Sequence, residues 1–184
     1  MAWMLVATTG LRRGEIMGLR WKDIDLDKRE LTIEEPRVVV NYKVVESDPK
    51  TEAGARRIAL DPAKVTALKA WKRAQAKERL AVGPGYVESG LMFTLPDGSG
   101  IHPQRFSAWF GQRARTAGLP RIRRHDVRHS YATAGLAAGV DIKVMSERLG
   151  HANMAITQDL YLHGLREMDE SAAMTVAAVI LDGG

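Results

Sequence analysis

LTIEEPRVVVNYKVVESDPKTEAGARRIAL, residues 31–60, is the stretch that settles the architecture. It is dense in β-branched residues, and turn formers divide it. Residues 31–34 and 38–45 read as strands, and residues 57–60 as a shorter third. Glu35-Pro36 and the run from Asp48-Pro49 to Gly54 are turn signals, so an antiparallel meander is expected.

On both sides the pattern is helical. Upstream, residues 1–9 read as a helix and residues 13–19 as a short second one. Downstream, Asp61-Pro62 is a helix start, with Asp as the N-cap and Pro in the first turn; Val65, Leu68 and Trp71 form the apolar stripe. Residues 83–100 are loop-like. Residues 103–117 read as a helix stopped by Gly118-Leu119-Pro120, and residues 126–138 as one closed by Gly139. Asp141 caps a helix that ends at Gly150, and residues 153–162 and 170–181 read as two more. The expected fold class is therefore α+β: one mainly helical domain over residues 1–184 with a small three-stranded antiparallel sheet. A helix that begins at residue 1 with apolar residues and no cap reads as the continuation of an earlier segment, so the start is expected to be truncated.

A chain of 184 residues is long enough for one real core. No apolar run reaches the length of a membrane span, and residues 1–9 lack the flanks of a signal peptide, so a cytoplasmic protein is expected. Cysteine is absent, which excludes disulfides and thiolate metal sites. The net charge is +5, yet residues 166–184 carry −3, leaving +8 on the remainder. Arginine outnumbers lysine 18 to 9, and its planar fork suits phosphate oxygens. On charge alone, a nucleic-acid partner and a solvated basic surface stay equally open.

Four segments concentrate polar residues that could do chemistry. In TGLRRGEIMGLRWKDID, residues 9–25, Arg12 and Arg13 sit between two glycines, where a ligand can approach the backbone. Glu15, three residues beyond Arg12, is placed to hold its guanidinium; a helical corner with surface arginines is the bland alternative. In PKTEAGARRIAL, residues 49–60, Lys50 lies at an expected hairpin tip, where a lysine is more often just solvated. In RIRRHDVRHSYAT, residues 121–133, helical spacing puts His125 on one face with Arg128 and with His129. The first pair offers a proton-transfer group and an anion clamp. The second would suit a metal, but Arg128 between the two histidines disfavours a cation, and no metal is expected. In LGHANMAITQDLYLH, residues 149–163, Tyr161 follows His151 by ten residues; alone, a buried structural tyrosine and a loop histidine are the plainer readings.

Taken together, two arginines, a lysine, two histidines and a tyrosine suit one reaction. A tyrosine hydroxyl attacks a phosphodiester while cations stabilise the charge on the pentacoordinate phosphorus. No acidic cluster of the two-metal type is apparent.

The order of these segments resembles the tyrosine recombinase (phage integrase) family. Its Thr-Gly-Leu-Arg-x-x-Glu box matches Thr9 to Glu15. Its lysine ahead of an Arg-x-Ile-x-Leu strand matches Lys50 and residues 56–60 approximately. Its His-x-x-Arg box matches His125 to Arg128, its Leu-Gly-His box matches Leu149 to His151, and its nucleophile falls at Tyr161. The resemblance implies the fold of DNA breaking-rejoining enzymes and a bacterial or phage-encoded recombinase. Catalysis is then expected from Arg12, Lys50, His125, Arg128, His151 and Tyr161, with Glu15 in support and Arg13 and Arg124 on DNA. The implied partner is double-stranded DNA, bound by a homotetramer on paired sites, with a monomer or weak oligomer in its absence. Neither cofactor nor ATP is implied. Family members also carry an N-terminal domain that clamps the other face of the DNA, and nothing in residues 1–184 corresponds to it. Type IB topoisomerase-like activity and a truncated DNA-binding relic are the alternatives. In the last expected helix, Ala173, Val176, Ala177 and Ile180 make one apolar stripe, which suits docking on a neighbouring protomer or packing in cis.

Overall fold

Strand alternation and helix caps together explain how the chain is divided. In the computed structural model, residues 1–41, 43–46, 55–119, 124–160, 162 and 173 are described. Their order is α1 (Ala2–Thr9), α2 (Arg13–Gly18), a 3-10 turn (Trp21–Asp23), β1 (Ile24–Asp25), β2 (Glu30–Ile33), β3 (Arg37–Val40), β4 (Lys43–Glu46), β5 (Arg56–Ala59), α3 (Pro62–Val82), a second 3-10 turn (Gly83–Gly85), α4 (Pro103–Thr116), α5 (Arg124–Ala137) and α6 (Ile142–Leu149). Residues 154–160 form a further helical run, α7. The last expected helix lies outside the described residues apart from Ala173, which is helical.

The fold is mainly helical with small antiparallel sheets, but the strands pair differently from a meander. The three-stranded sheet has the order β1-β2-β5, and β3-β4 is a separate hairpin. The single strand read over residues 38–45 is broken by a turn at Asn41, whose φ of 48° a short polar side chain tolerates. β5 returns past the hairpin to β2 because that is where the apolar partner lies. Leu31 faces Ile58 across the pair, and both are fully buried. Period-two alternation then points Arg56 to the same inner side as Ile58 and sends Arg57 outward. The two-residue β1 was too short to register in the sequence.

Helix starts follow their caps. The Asp61 side chain accepts from Lys64 N at 2.9 Å, with Pro62 in the first turn. Asp141 accepts from Lys143 N and Val144 N at 2.8 and 3.1 Å and starts α6. The main core joins α1, α2, the three-stranded sheet and α3 through Leu5, Leu11, Ile16, Leu31, Ile58 and Leu68. A second, smaller cluster of Ala132, Leu136, Met145 and Leu149 locks α5 to α6. α1 packs on α5 and β5 on α6, so the seam between the two clusters runs past the end of α6. Among the described residues, no helix is long and apolar enough to cross a membrane.

Candidate active site

The carbonyls that end a helix have no partner within it and carry partial negative charge. At the end of α6, three arginines from three parts of the chain take up consecutive ones. Arg56 of β5 donates Nε to Arg148 O at 2.7 Å. Arg128 of α5 donates Nη2 to Leu149 O at 2.6 Å. Arg12, between α1 and α2, donates Nη2 to Gly150 O at 2.6 Å. Gly150 closes α6 in the left-handed region, with φ 66° and ψ 46°.

Each guanidinium has a second anchor. Arg128 is 6% exposed, and its Nη1 reaches Gly10 O at 2.6 Å, bridging the end of α1 to the end of α6. Gly10 has φ 65°, and a Cβ there would stand 2.7 Å from both Leu149 Cδ2 and Tyr131 Cδ1. A glycine is therefore what lets the Gly10 carbonyl reach Arg128. Arg12 Nη1 donates to Glu15 Oε1 at 2.9 Å, and its backbone N–H to Glu15 Oε2 at 2.7 Å. Arg56 meets the same carboxylate at two points, 2.9 and 3.0 Å. Burial pushes the Glu15 carboxyl up, but the hydrogen bonds and charges of Arg56 and Arg12 outweigh it and hold the group below the usual glutamate range. Glu15 thus stays ionised and orders two arginines at once.

His151 follows Gly150 directly. Its Nδ1 lies 2.8 Å from Oγ1 of Thr157, which is fully buried on α7. Burial, then the charges of Arg128, Arg12 and Arg56, push its pKa down to about 4, so the ring is neutral at physiological pH.

The structure therefore brings Arg12, Glu15, Arg128 and His151 together. Arg13 turns away, with Nη1 3.4 Å from Ser107 Oγ on α4. Arg124 and His125 lie in the first turn of α5, His125 three residues before Arg128, and their side chains lie outside what is described. Lys50 and Tyr161 lie outside the described residues. His129 is exposed, and no three His, Asp or Glu among the described residues come together as metal ligands. Sequence reasoning gave Arg56 no task. Its signal was available in the alternation with Ile58, which forces a charged side chain inward and so demands a buried partner.

Two guanidinium groups and a neutral imidazole at one helix end can grip the oxygens of a single anion, since arginine offers paired donors in a plane. Glu15 adds no free negative charge there, because Arg12 and Arg56 occupy it.

The pattern of the phage integrase family matches residues 1–168. A "Tyrosine recombinase XerC-like" protein of Caldanaerobacter subterraneus subsp. tengcongensis is 33% identical over 95% of this chain and 48% of its own length. The ICEBs1 integrase of Bacillus subtilis is 32% identical over 84% of this chain and 42% of its own. The chain thus spans about half the length of these curated relatives. Among solved structures, the Tn1549 transposon integrase in complex with transposon right end DNA superposes with a TM-score of 0.75 at 22% identity, over 94% of this chain and 58% of that one. The XerA recombinase superposes with a TM-score of 0.69 at 23% identity, over 93% and 57%. The fold is that of these recombinases, and the chain belongs to the phage integrase family of tyrosine recombinases.

Proposed function

We propose that residues 1–184 are the catalytic domain of a site-specific DNA recombinase that cuts and rejoins strands through a tyrosine. The observation that carries this reading is the convergence of Arg12, Arg128 and His151 at the end of α6. Such a set neutralises a phosphodiester whose negative charge grows in the transition state. Tyr161 Oη attacks the phosphorus, forming a 3′-phosphotyrosine and breaking the bond to the 5′ oxygen. Arg12 and Arg128 bind the non-bridging oxygens, and His151 donates a hydrogen bond to one of them. His125 takes the tyrosine proton, and Lys50 protonates the leaving 5′ oxygen. Rejoining is the reverse with a new 5′-hydroxyl, so no ATP is consumed. Arg13 and Arg124 hold flanking phosphates, and four protomers act on two duplexes. Relatives named as recombinases and integrases, and the XerH recombinase bound to its difH substrate, favour this class over a topoisomerase.

The test is a nicked suicide substrate built from the DNA that flanks the gene. An SDS-stable covalent adduct is expected from the unaltered protein, also in EDTA, and none from Tyr161→Phe. An adduct from the Phe variant excludes Tyr161 as nucleophile, and an adduct that needs a divalent ion excludes the metal-free clamp.

A further inference from the structure

We propose that Thr157 is a positioning residue for His151: its buried hydroxyl donates to Nδ1, fixes the ring as the Nε2–H tautomer, and makes that state depend on the docking of α7. The role of this histidine in strand transfer rests on the reading above; its tautomer does not.

The inference starts from hydrogen-bond satisfaction. Thr157 Oγ1 lies 2.8 Å from Nδ1, and the residue has no exposed surface. Among the described residues the hydroxyl has no other hydrogen-bond partner. If Nδ1 carried the hydrogen, it would donate to Oγ1 and leave the buried hydroxyl proton without an acceptor. If Nδ1 is bare, the hydroxyl donates to it and both groups are satisfied. The second arrangement wins, because an unmade hydrogen bond in a buried place costs more than a made one gains. The ring is neutral, so it has one N–H to place. With Nδ1 accepting, that N–H is on Nε2, on the far side of the ring from Thr157.

The consequence concerns α7. Thr157 precedes Tyr161 by four residues, so the helix that fixes the imidazole also leads to the candidate nucleophile. The main core does not reach α7, which is seated through Thr157 and through Leu160, packed on the second cluster, while residues 154–156, 158 and 159 are exposed. Undocking α7 would release Nδ1 and let the ring exchange tautomers. A donor to phosphate is then preset only while the segment leading to Tyr161 is seated.

The experiment is a long-range proton–nitrogen correlation spectrum of the whole chain with nitrogen-15 histidine at neutral pH, His151 being assigned by its loss in His151→Gln. An acceptor-type Nδ1 and a protonated Nε2 are expected in the unaltered chain and in Thr157→Ser. Thr157→Val, which keeps the shape and removes the hydroxyl, is expected to show averaged tautomers. On the suicide substrate, Thr157→Val should cleave about tenfold more slowly at unchanged DNA affinity, and Thr157→Ser within about twofold of the unaltered chain. A protonated Nδ1 in the unaltered chain overturns the proposal, as does a single unchanged tautomer in Thr157→Val. A shifted tautomer with unchanged cleavage also overturns the positioning role. If Thr157→Val fails to fold, the tautomers of the unaltered chain and of Thr157→Ser still decide. The spectrum needs no DNA, so it stands apart from the Tyr161 adduct that tests the function.

Discussion

Glu15 grips Arg56 with both carboxylate oxygens, Oε1 accepting from Nη1 at 2.9 Å and Oε2 from Nη2 at 3.0 Å. The two side chains are 5% and 7% exposed, so neither charge has water to fall back on. Removing one partner takes the strongest counter-charge from the other, Glu15 keeping Arg12 and Arg56 keeping Arg148 O, and breaking such a buried pair costs about 3 kcal/mol. Arg56→Met is therefore expected to destabilise the chain by about 3 kcal/mol in urea denaturation. Glu15→Gln with Arg56→Met should cost clearly less than the two single changes added together, since neither charge of the pair is then left buried without the other. Strict additivity would contradict the pairing.

Arg128 and Arg12 should respond differently to lysine. Arg128 is buried and bridges Gly10 O and Leu149 O, two acceptors that one ammonium cannot reach with the same geometry. Arg128→Lys is expected to lose about 1–3 kcal/mol of stability as well as cleavage. The Arg12 side chain is 42% exposed, so Arg12→Lys should melt near the unaltered chain. Its adduct yield should still fall about a hundredfold or more. Melting curves and adduct trapping on the same preparations separate the two outcomes.

The histidine gives a pH signature. Its pKa is 6.5 ordinarily and about 4 in the folded chain. As pH falls below 6.5 the unfolded chain takes up a proton, and the folded chain resists until about 4. Stability from this group is thus complete above 6.5 and declines between 6.5 and 4. Urea midpoints across that window should drop with acid, and His151→Gln should flatten that part of the slope. An equally steep drop in the variant would assign the effect elsewhere.

Gly10→Ala tests the backbone that holds Arg128. The substitution places a Cβ at φ 65° and within 2.7 Å of Leu149 and Tyr131. A loss of about 1–3 kcal/mol is expected in thermal or urea melts. Cleavage should fall further than stability alone explains, because the Gly10 carbonyl moves with the strain. A fully active variant of normal stability would show that the carbonyl is not part of the clamp.

Local physics was legible in the sequence. The caps at Asp61 and Asp141 and the stop at Gly150 each depend on neighbours a few residues away, and the structure places all three where the sequence put them. The β region was less so. Five valines read as one strand whether or not the chain reverses at Asn41, because no glycine marks the turn. The partner of β5 was hidden for a different reason: pairing with β2 is decided by the buried faces of Leu31 and Ile58, which only the assembled core reveals. In the site, Arg12, Glu15, Arg128 and His151 stood out as residue types at telling spacings. Their meeting point did not, since Arg56 reaches Glu15 across 41 residues and Arg12 reaches Gly150 across 138. The acceptors at the end of α6 are main-chain oxygens, which no sequence pattern spells out.

Those oxygens also set what mutation can reach. Replacing the side chain of Arg148, or Leu149 by a residue that fills the same core space, leaves both carbonyls in place, so two of the three contacts at the end of α6 are insulated from ordinary drift, whereas the third depends on Gly150 and its φ of 66°. Insertion or deletion is another matter. One residue gained or lost within α6 turns its last carbonyls by about 100° around the helix axis and shifts them by about 1.5 Å. Arg56, Arg128 and Arg12 would then face the wrong side of the same helix. The eight residues of α6 are thus a gauge of fixed length, and related chains should vary freely in what α6 displays to solvent while keeping its residue count.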